Sequence, residues 1–273
     1  MTSSYPLSQA RGFVLDLDGV LYRGDVPIAG AAEFIKALQQ SGTPFLLLTN
    51  NSVPTSAQYV DKLGRMDIHV ETDHIVTSGQ ATALHLCEEA RDGASVFAIG
   101  GDGVRTELER CGFVLRNDPD VDYVVVGFDW GLTYEKLKLA TLAIRAGAKF
   151  IGTNPDKTFP TNAGLMPGNG ATLAAIQAAT DVAPRVIGKP RPAIFKLALE
   201  KLGTAPHETV MIGDRLDTDI AGALQVGLLS ILVLSGVTRT EDLTRAPVTP
   251  DMVFKDIAAV LDAWQDVPQY AAE

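Results

Sequence analysis

Three observations predict an α/β fold with a second α/β domain inserted into the first. Short, fully apolar runs alternate with helical segments along the chain, four of those runs end in a polar signature, and two successive signatures stand more than a hundred residues apart. Continuous Val, Ile, Leu and Phe mark strands covered on both faces, and their alternation with helices reads as βαβ units and a mostly parallel sheet. In such a sheet the ligand site forms at the carboxyl ends of the strands, where loops and helix N-termini converge. A βα connection needs only a few residues, so the long separation requires an inserted domain.

The apolar runs are residues 13–15, 45–48, 96–99, 124–126, 186–187, 210–212 and 231–234. Between the first two, residues 31–40 put Phe34, Ile35 and Leu38 on one helical face before Ser41-Gly42 stops the helix. The insert carries strand signals at 95–100 and 123–127, a helix over 134–146 and another over 171–179. Its expected boundaries fall near Gln80 and Pro184, giving a core of residues 1–80 and 184–273 and an inserted domain of residues 81–183.

With 46% hydrophobic and 21% charged residues the composition is that of an ordinary folded chain, which argues against disorder and fibrous repeats. A net charge of −10 repels nucleic-acid phosphates and anionic lipid surfaces, so neither a nucleic acid polymer nor a membrane is an expected partner. The cysteines, Cys87 and Cys111, form neither a CxxC pair nor a disulfide framework. The N-terminal residues lack a basic region and an apolar core, and the longest uncharged apolar stretch, 226–237, is too short to span a bilayer. A cytoplasmic location is expected.

The four strand-end signatures are Asp16-Leu17-Asp18-Gly19, Thr49-Asn50-Asn51-Ser52, Gly188-Lys189-Pro190 and Gly213-Asp214-Arg215-Leu216-Asp217-Thr218-Asp219. Asp16 and Asp18 flank Leu17, so a strand-end geometry points both carboxylates one way, and such a pair can divide labour between nucleophile and general acid/base. Taken alone, Asp-x-Asp-Gly is more often a turn. The other signatures supply what a phosphoryl transfer needs, because a carboxylate approaching a phosphate dianion must have their repulsion cancelled. Asp16 with Asp214 offers oxygen ligands for Mg²⁺, and Lys189 offers an ammonium. Thr49, Asn50 and Asn51 can donate to non-bridging oxygens at a helix N-terminus, or can form a plain strand-to-helix turn. No P-loop, complete GxGxxG, GxSxG or HExxH motif is present.

In these four motifs, their order and their spacing, the chain resembles the haloacid dehalogenase-like (HAD) hydrolases. The similarity is to the phosphatase branch of NagD and the para-nitrophenylphosphatases, which carries a large C2-type cap between the second and third motifs. It extends from Phe13 to about Val237. Val126-Gly127-Phe128-Asp129, Thr153-Asn154-Pro155-Asp156 and Pro167-Gly168-Asn169-Gly170-Ala171 look like the cap of that branch. The resemblance implies a Rossmann-like parallel-sheet core and a Mg²⁺-dependent phosphatase. In it Asp16 is the nucleophile, and Asp18 protonates the leaving oxygen and then activates water. Mg²⁺ is held by Asp16, the Asp18 backbone carbonyl and Asp214, with Asp219 supporting from the second shell or through water. Lys189 bridges nucleophile and phosphate, and Thr49 to Asn51 cradle the transferring group.

Asn154 and Asp156 are the polar candidates for substrate contact from the insert, with a solvated loop as the alternative. Residues 167–170 are either a substrate cradle or a turn. Arg215 stands where many relatives carry Asn and either points outward or touches substrate; Asp217 faces either the metal or solvent. The expected substrates are small phosphorylated metabolites, namely sugar, polyol, nucleotide or glycolate phosphates, with para-nitrophenyl phosphate as an artificial one. Phosphoryl transfer to another hydroxyl and non-catalytic binding of a phosphometabolite are the alternatives. A homodimer, if formed, is expected through the cap.

Overall fold

The computed structural model describes residues 7–161 and 164–265. Along the chain run β1 (Gly12–Leu15), the β2 (Tyr22–Arg23) and β3 (Val26–Pro27) pair, α1 (Ala31–Ser41), β4 (Phe45–Thr49), α2 (Ser56–Gly64), β5 (Ile75–Thr77) and α3 (Ser78–Cys87). Next come β6 (Ser95–Ile99), α4 (Asp102–Arg110), β7 (Val114–Leu115), β8 (Tyr123–Val126), α5 (Tyr134–Arg145) and β9 (Lys149–Gly152). The antiparallel pair β10 (Thr158–Thr161) and β11 (Gly164–Pro167) leads to α6 (Asn169–Thr180), β12 (Arg185–Val186) and α7 (Pro192–Leu202). The chain ends with β13 (Thr209–Gly213), α8 (Ala221–Val226), β14 (Leu229–Val233), β15 (Met252–Phe254) and α9 (Ile257–Gln265).

Two compact units result. One comprises the residues up to Leu48, Val60–Ile75 and those from Phe195 on; the other comprises Thr49–Tyr59 and Val76–Ile194. The first is built on a six-stranded sheet of order β15-β14-β13-β1-β4-β5, in which β1, β4, β13, β14 and β15 are parallel. All four residues of β1 are buried, the continuous burial that its unbroken apolar run demands. Against it packs α1, whose Phe34, Ile35 and Leu38 are buried and whose end is set by Gly42 in a left-handed conformation, its N–H returning to Leu38 and Gln39. Phe34 meets Phe13 edge-on at 5.6 Å, and Trp264 of α9 closes the cluster at 5.4 Å from Phe13.

The second unit carries its own sheet, β12-β9-β8-β6-β7, with parallel pairing throughout. Phe97, Ile99, Val124 and Val126 bury against Ala140, Ala143 and Ile144 of α5 and Leu173 and Ile176 of α6. One strand changes sheet relative to the sequence expectation. The 186–187 run was expected at the same sheet edge as Asp16, yet β12 pairs with β9, Arg185 opposite Ile151 and Val186 opposite Gly152. A two-residue edge strand carries too little pattern to state which sheet it joins. No helix of the described residues is long and apolar enough to cross a membrane.

Candidate active site

In the first unit, β1 lies between β4 and β13, and the order in which strands are added reverses there: β4 and β5 are laid down to one side of β1, and β13, β14 and β15 to the other. Such a switch point opens a crevice at the strand carboxyl ends. Asp16 follows the last residue of β1, and its N–H donates to Ile212 O at 2.9 Å, extending the β1/β13 ladder by one rung. Asp214 follows the last residue of β13. A π-helical turn, Leu216–Ile220, then turns Asp219 back toward the strand end. The N–H groups of Asp219 and Ile220 both reach Arg215 O, at 3.1 and 3.2 Å, and the Asp219 carboxylate accepts the Arg215 N–H at 3.1 Å.

Asp16, Asp214 and Asp219 are all buried, and each offers a carboxylate oxygen within 4.8 Å of the other two. Three carboxylates so close repel one another in a medium that screens them poorly, and a hard divalent cation with a preference for oxygen relieves that repulsion. The donor set therefore fits Mg²⁺. The backbone around it is shaped to the acids: a Cβ on Gly19, whose φ is +87°, would stand 2.5 Å from Asp214 Oδ2, and one on Gly236 would overlap the same carboxylate. A Cβ on Gly213 would likewise overlap the Asp219 side chain. After β14 the loop wraps Asp214, with Val237 N–H donating to Oδ2 at 2.6 Å, while Ser235 Oγ donates to Gly19 O at 2.6 Å.

Asp18 stands two residues beyond Asp16 and bridges to Tyr22. Lost hydration raises its carboxyl above the ordinary 3.8, and the nearby cations Lys62 and Arg23 pull the other way. Lys62 Nζ sits 4.0 Å above the Tyr22 ring and 3.8 Å from Asp25; Arg23 Nε donates to Ser235 O. Arg215 forks onto Asp217 at 3.1 and 2.9 Å, and the Asp217 side chain is 69% exposed, so Asp217 is a solvent-facing acid rather than a member of the buried group.

The second unit holds the other candidates. Lys189 is 2% exposed, a burial that lysine tolerates only for a reason. Thr49 ends β4, and its Oγ1 accepts Asn51 N–H at 3.1 Å, which leaves the hydroxyl proton to donate. A helix N-terminus was expected here, but α2 starts only at Ser56. Pro54 disfavours helix for Val53, and a reciprocal pair sets the start: Thr55 N–H to Gln58 Oε1 at 2.8 Å and Gln58 N–H to Thr55 Oγ1 at 3.2 Å. The helix dipole is thus displaced by a turn or more from Thr49.

Asn50 is buried, and its side-chain amide donates to Asp156 Oδ1 and Oδ2 at 3.1 and 3.2 Å and to Lys189 O at 3.0 Å. Its own carbonyl accepts Ser78 Oγ–H at 2.6 Å and Asn154 Nδ2 at 2.7 Å. Asn154 Oδ1 accepts Asp156 N–H at 3.1 Å. Asn169, in the first turn of α6, donates to Asn154 O at 2.9 Å and Val126 O at 3.1 Å. Segments 49–52, 78, 153–156, 169 and 188–189 are therefore tied into one buried polar network.

Ser78 in that network, and the Ser235-Gly236-Val237 loop around Asp214, are absent from the sequence-derived site. The loop had a usable signal, since it follows the 231–234 apolar run at a strand end as the other signatures do. Asn169 lies in the 167–170 stretch that the sequence leaves open between a cradle and a turn, and Ser78 had no signal beyond its polarity.

Comparison with known proteins follows the same lines. A haloacid dehalogenase-like hydrolase profile matches residues 13–114, and a HAD-hydrolase-like profile matches residues 186–260. An acid sugar phosphatase of Staphylococcus aureus is 45% identical over 251 residues, 92% of this chain and 96% of the relative. The crystal structure of 4-nitrophenylphosphatase from Thermotoga maritima superposes with a TM-score of 0.91 at 38% identity, over 96% of this chain and 100% of that one. NagD from E. coli K-12 gives a TM-score of 0.84 at 32% identity, over 91% and 97% of the two chains.

Proposed function

The chain belongs to the haloacid dehalogenase-like hydrolases and is a phosphatase of that family, and on that premise we propose that it hydrolyses small phosphate monoesters, sugar phosphates foremost, through a phospho-aspartate on Asp16. The observation that carries the mechanism is the buried group of Asp16, Asp214 and Asp219. Those three carboxylates would hold Mg²⁺, with the Asp18 carbonyl as a further ligand. When bound, the cation supplies positive charge that lets two anions meet and that stabilises the transferring phosphoryl oxygens.

The chain's own groups carry the steps. An Asp16 oxygen attacks phosphorus as the ester P–O bond breaks, and the departing oxygen takes the proton of Asp18. Asp18, now a carboxylate, removes a proton from water as that water attacks phosphorus, which breaks the bond to Asp16 and releases inorganic phosphate. The upward shift of the Asp18 carboxyl suits the first role, because the proton is held to higher pH than in an ordinary aspartate. Lys189 offsets the charge of nucleophile and phosphate, and Thr49 and Asn51 supply donors to the non-bridging oxygens. Residues 81–183 act as the cap that selects the leaving group, and residues 1–80 and 184–273 carry the chemistry. Sugar phosphates and para-nitrophenyl phosphate, the compounds for which the relatives are named, are the first substrates to try.

The test is phosphate release from para-nitrophenyl phosphate and a panel of sugar phosphates with Mg²⁺, with EDTA, and in Asp16→Asn. Turnover in EDTA, or an Asp16→Asn variant as active as the parent, would sink this mechanism. Trapped ³²P-labelled protein in the parent and none in the variant is the expected direct signature.

A further inference from the structure

An Asn amide has two N–H donors and one carbonyl acceptor. In Asn50 both donors are taken: one is shared between the two oxygens of the Asp156 carboxylate at 3.1 and 3.2 Å, the other goes to Lys189 O at 3.0 Å. The orientation of the amide follows from its partners, since the flipped form would set its oxygen against a carboxylate and a carbonyl. Its Oδ1 is buried, with no hydrogen-bond partner among the described residues, and faces Gly188, where an added Cβ would stand 2.7 Å from it. The side chain of Asn50 thus has no donor left for a ligand.

We propose that Asn50 and Asp156 are a positioning pair for Lys189, and that neither side chain is a phosphate ligand. Asp156 fits that part on charge alone, because a carboxylate placed to meet a phosphate dianion would repel it. As an anion turned on the Asn50 amide, it strengthens and orients the bond that fixes the Lys189 carbonyl. Gly188, immediately before the lysine, is fixed from the other side by its N–H bond to Thr153 O at 2.8 Å. The backbone on which the lysine rests is therefore held by Asn50 on one side and by the 153–156 segment on the other. Asn154 and Ser78 hold Asn50 itself, through its backbone carbonyl.

The inference rests on the catalytic part given to Lys189 above, and the experiment separates the two. The parent, Asn50→Ala, Lys189→Ala and the double variant are assayed with para-nitrophenyl phosphate and Mg²⁺ for kcat and KM, and with inorganic phosphate as inhibitor for Ki. In the parent background Asn50→Ala should lower kcat about 10²-fold, with KM and Ki changed less than about 3-fold. In the Lys189→Ala background the same substitution should cost less than about 3-fold, because the group it positions is gone. A loss that multiplies in the double variant, or a Ki raised about 10-fold by Asn50→Ala, overturns the proposal. Full turnover in Lys189→Ala overturns the catalytic reading instead, and Ki alone then decides whether Asn50 touches phosphate. Should Asn50→Ala fail to fold, Asp156→Ala removes the outer partner only, and the same coupling to Lys189→Ala is expected at about 10-fold.

Discussion

Two buried polar clusters in this chain are built on opposite principles. The acid group of the first unit gathers three side chains of one charge, Asp16, Asp214 and Asp219, within 4.8 Å. The amide network of the second unit instead commits its donors to acceptors: the side-chain N–H groups of Asn50, Asn154 and Asn169 and the Ser78 hydroxyl go to backbone carbonyls at 2.6 to 3.1 Å. Like charges held together cost folding energy and are kept for what they bind. Matched donors and acceptors contribute to folding and are kept for what they hold in place. Substitutions in the two clusters should therefore differ in sign for stability as well as in size for activity.

Activity gives the widest separation. Asp214→Asn should lower kcat/KM with para-nitrophenyl phosphate and Mg²⁺ by about 10³-fold, roughly 4 kcal/mol, since it strips a full charge from the cation site at constant shape. Steady-state kinetics over a Mg²⁺ series reads it. Activity within tenfold of the parent at every concentration would remove Asp214 from the site.

Stability gives the next effect, in the other cluster. Asn169→Ala deletes the donors to Val126 O and Asn154 O and leaves both carbonyls buried. A cost of about 2–4 kcal/mol is expected from denaturant unfolding. A cost under about 0.5 kcal/mol would mean that water replaces the amide and that the network is not the scaffold described.

The contrast also sets what could be read from sequence. Asp16, Asp18 and Asp214 were legible because a rigid rule places them: residues just past buried parallel strands converge at one sheet edge. Asp219 was found through its motif, but its place beside the strand end depends on a π-helical turn that no periodicity announces. The predicted helices at 31–40, 134–146 and 171–179 match Ala31–Ser41, Tyr134–Arg145 and Asn169–Thr180, because each has a buried face and a definite stop. The two-residue strands β2, β3, β7 and β12 were illegible or misassigned, because two residues carry too little pattern to state a pairing, whether the partner is near, as for β2 and β3, or farther along the chain, as for β12. The part of Asn50 is likewise open in the sequence. Its type allows a phosphate ligand, and its bonds to Asp156 and Lys189, more than a hundred residues away, are what favour a positioning part instead.

A metal titration sharpens the difference further. Mg²⁺ at about a hundred times its Kd should stabilise the parent by about 2.7 kcal/mol and Asp214→Asn by far less. Without metal the order reverses: removing one of three crowded charges should leave Asp214→Asn about 1 kcal/mol more stable than the metal-free parent. Thermal melting with Mg²⁺ and with EDTA measures both. A metal-free variant that melts below the parent would mean the acids are not under mutual repulsion.

The smallest effect comes from an aspartate with the opposite surroundings. Asp122, next to β8, accepts Ser95 N–H and Ser95 Oγ–H at 2.7 Å each and pairs with Arg91 at 3.0 Å. These bonds hold its carboxyl down at about 2, against an ordinary 3.8. A depressed value in the folded state means that the ionised form favours folding, so its contribution is whole above about pH 4 and is lost as pH falls toward 2. With the side chain 33% exposed, solvent screening trims the gain, and Asp122→Asn should cost about 1 kcal/mol at pH 7. The gap between parent and variant should close between pH 4 and pH 2; one that stays constant through that range would show that the charge contributes nothing. Asp→Asn would thus stabilise the metal-free chain at Asp214 and destabilise it at Asp122. The difference lies in the like charge around each carboxylate: Asp214 shares its place with Asp16 and Asp219, whereas Asp122 is held by Ser95 and Arg91.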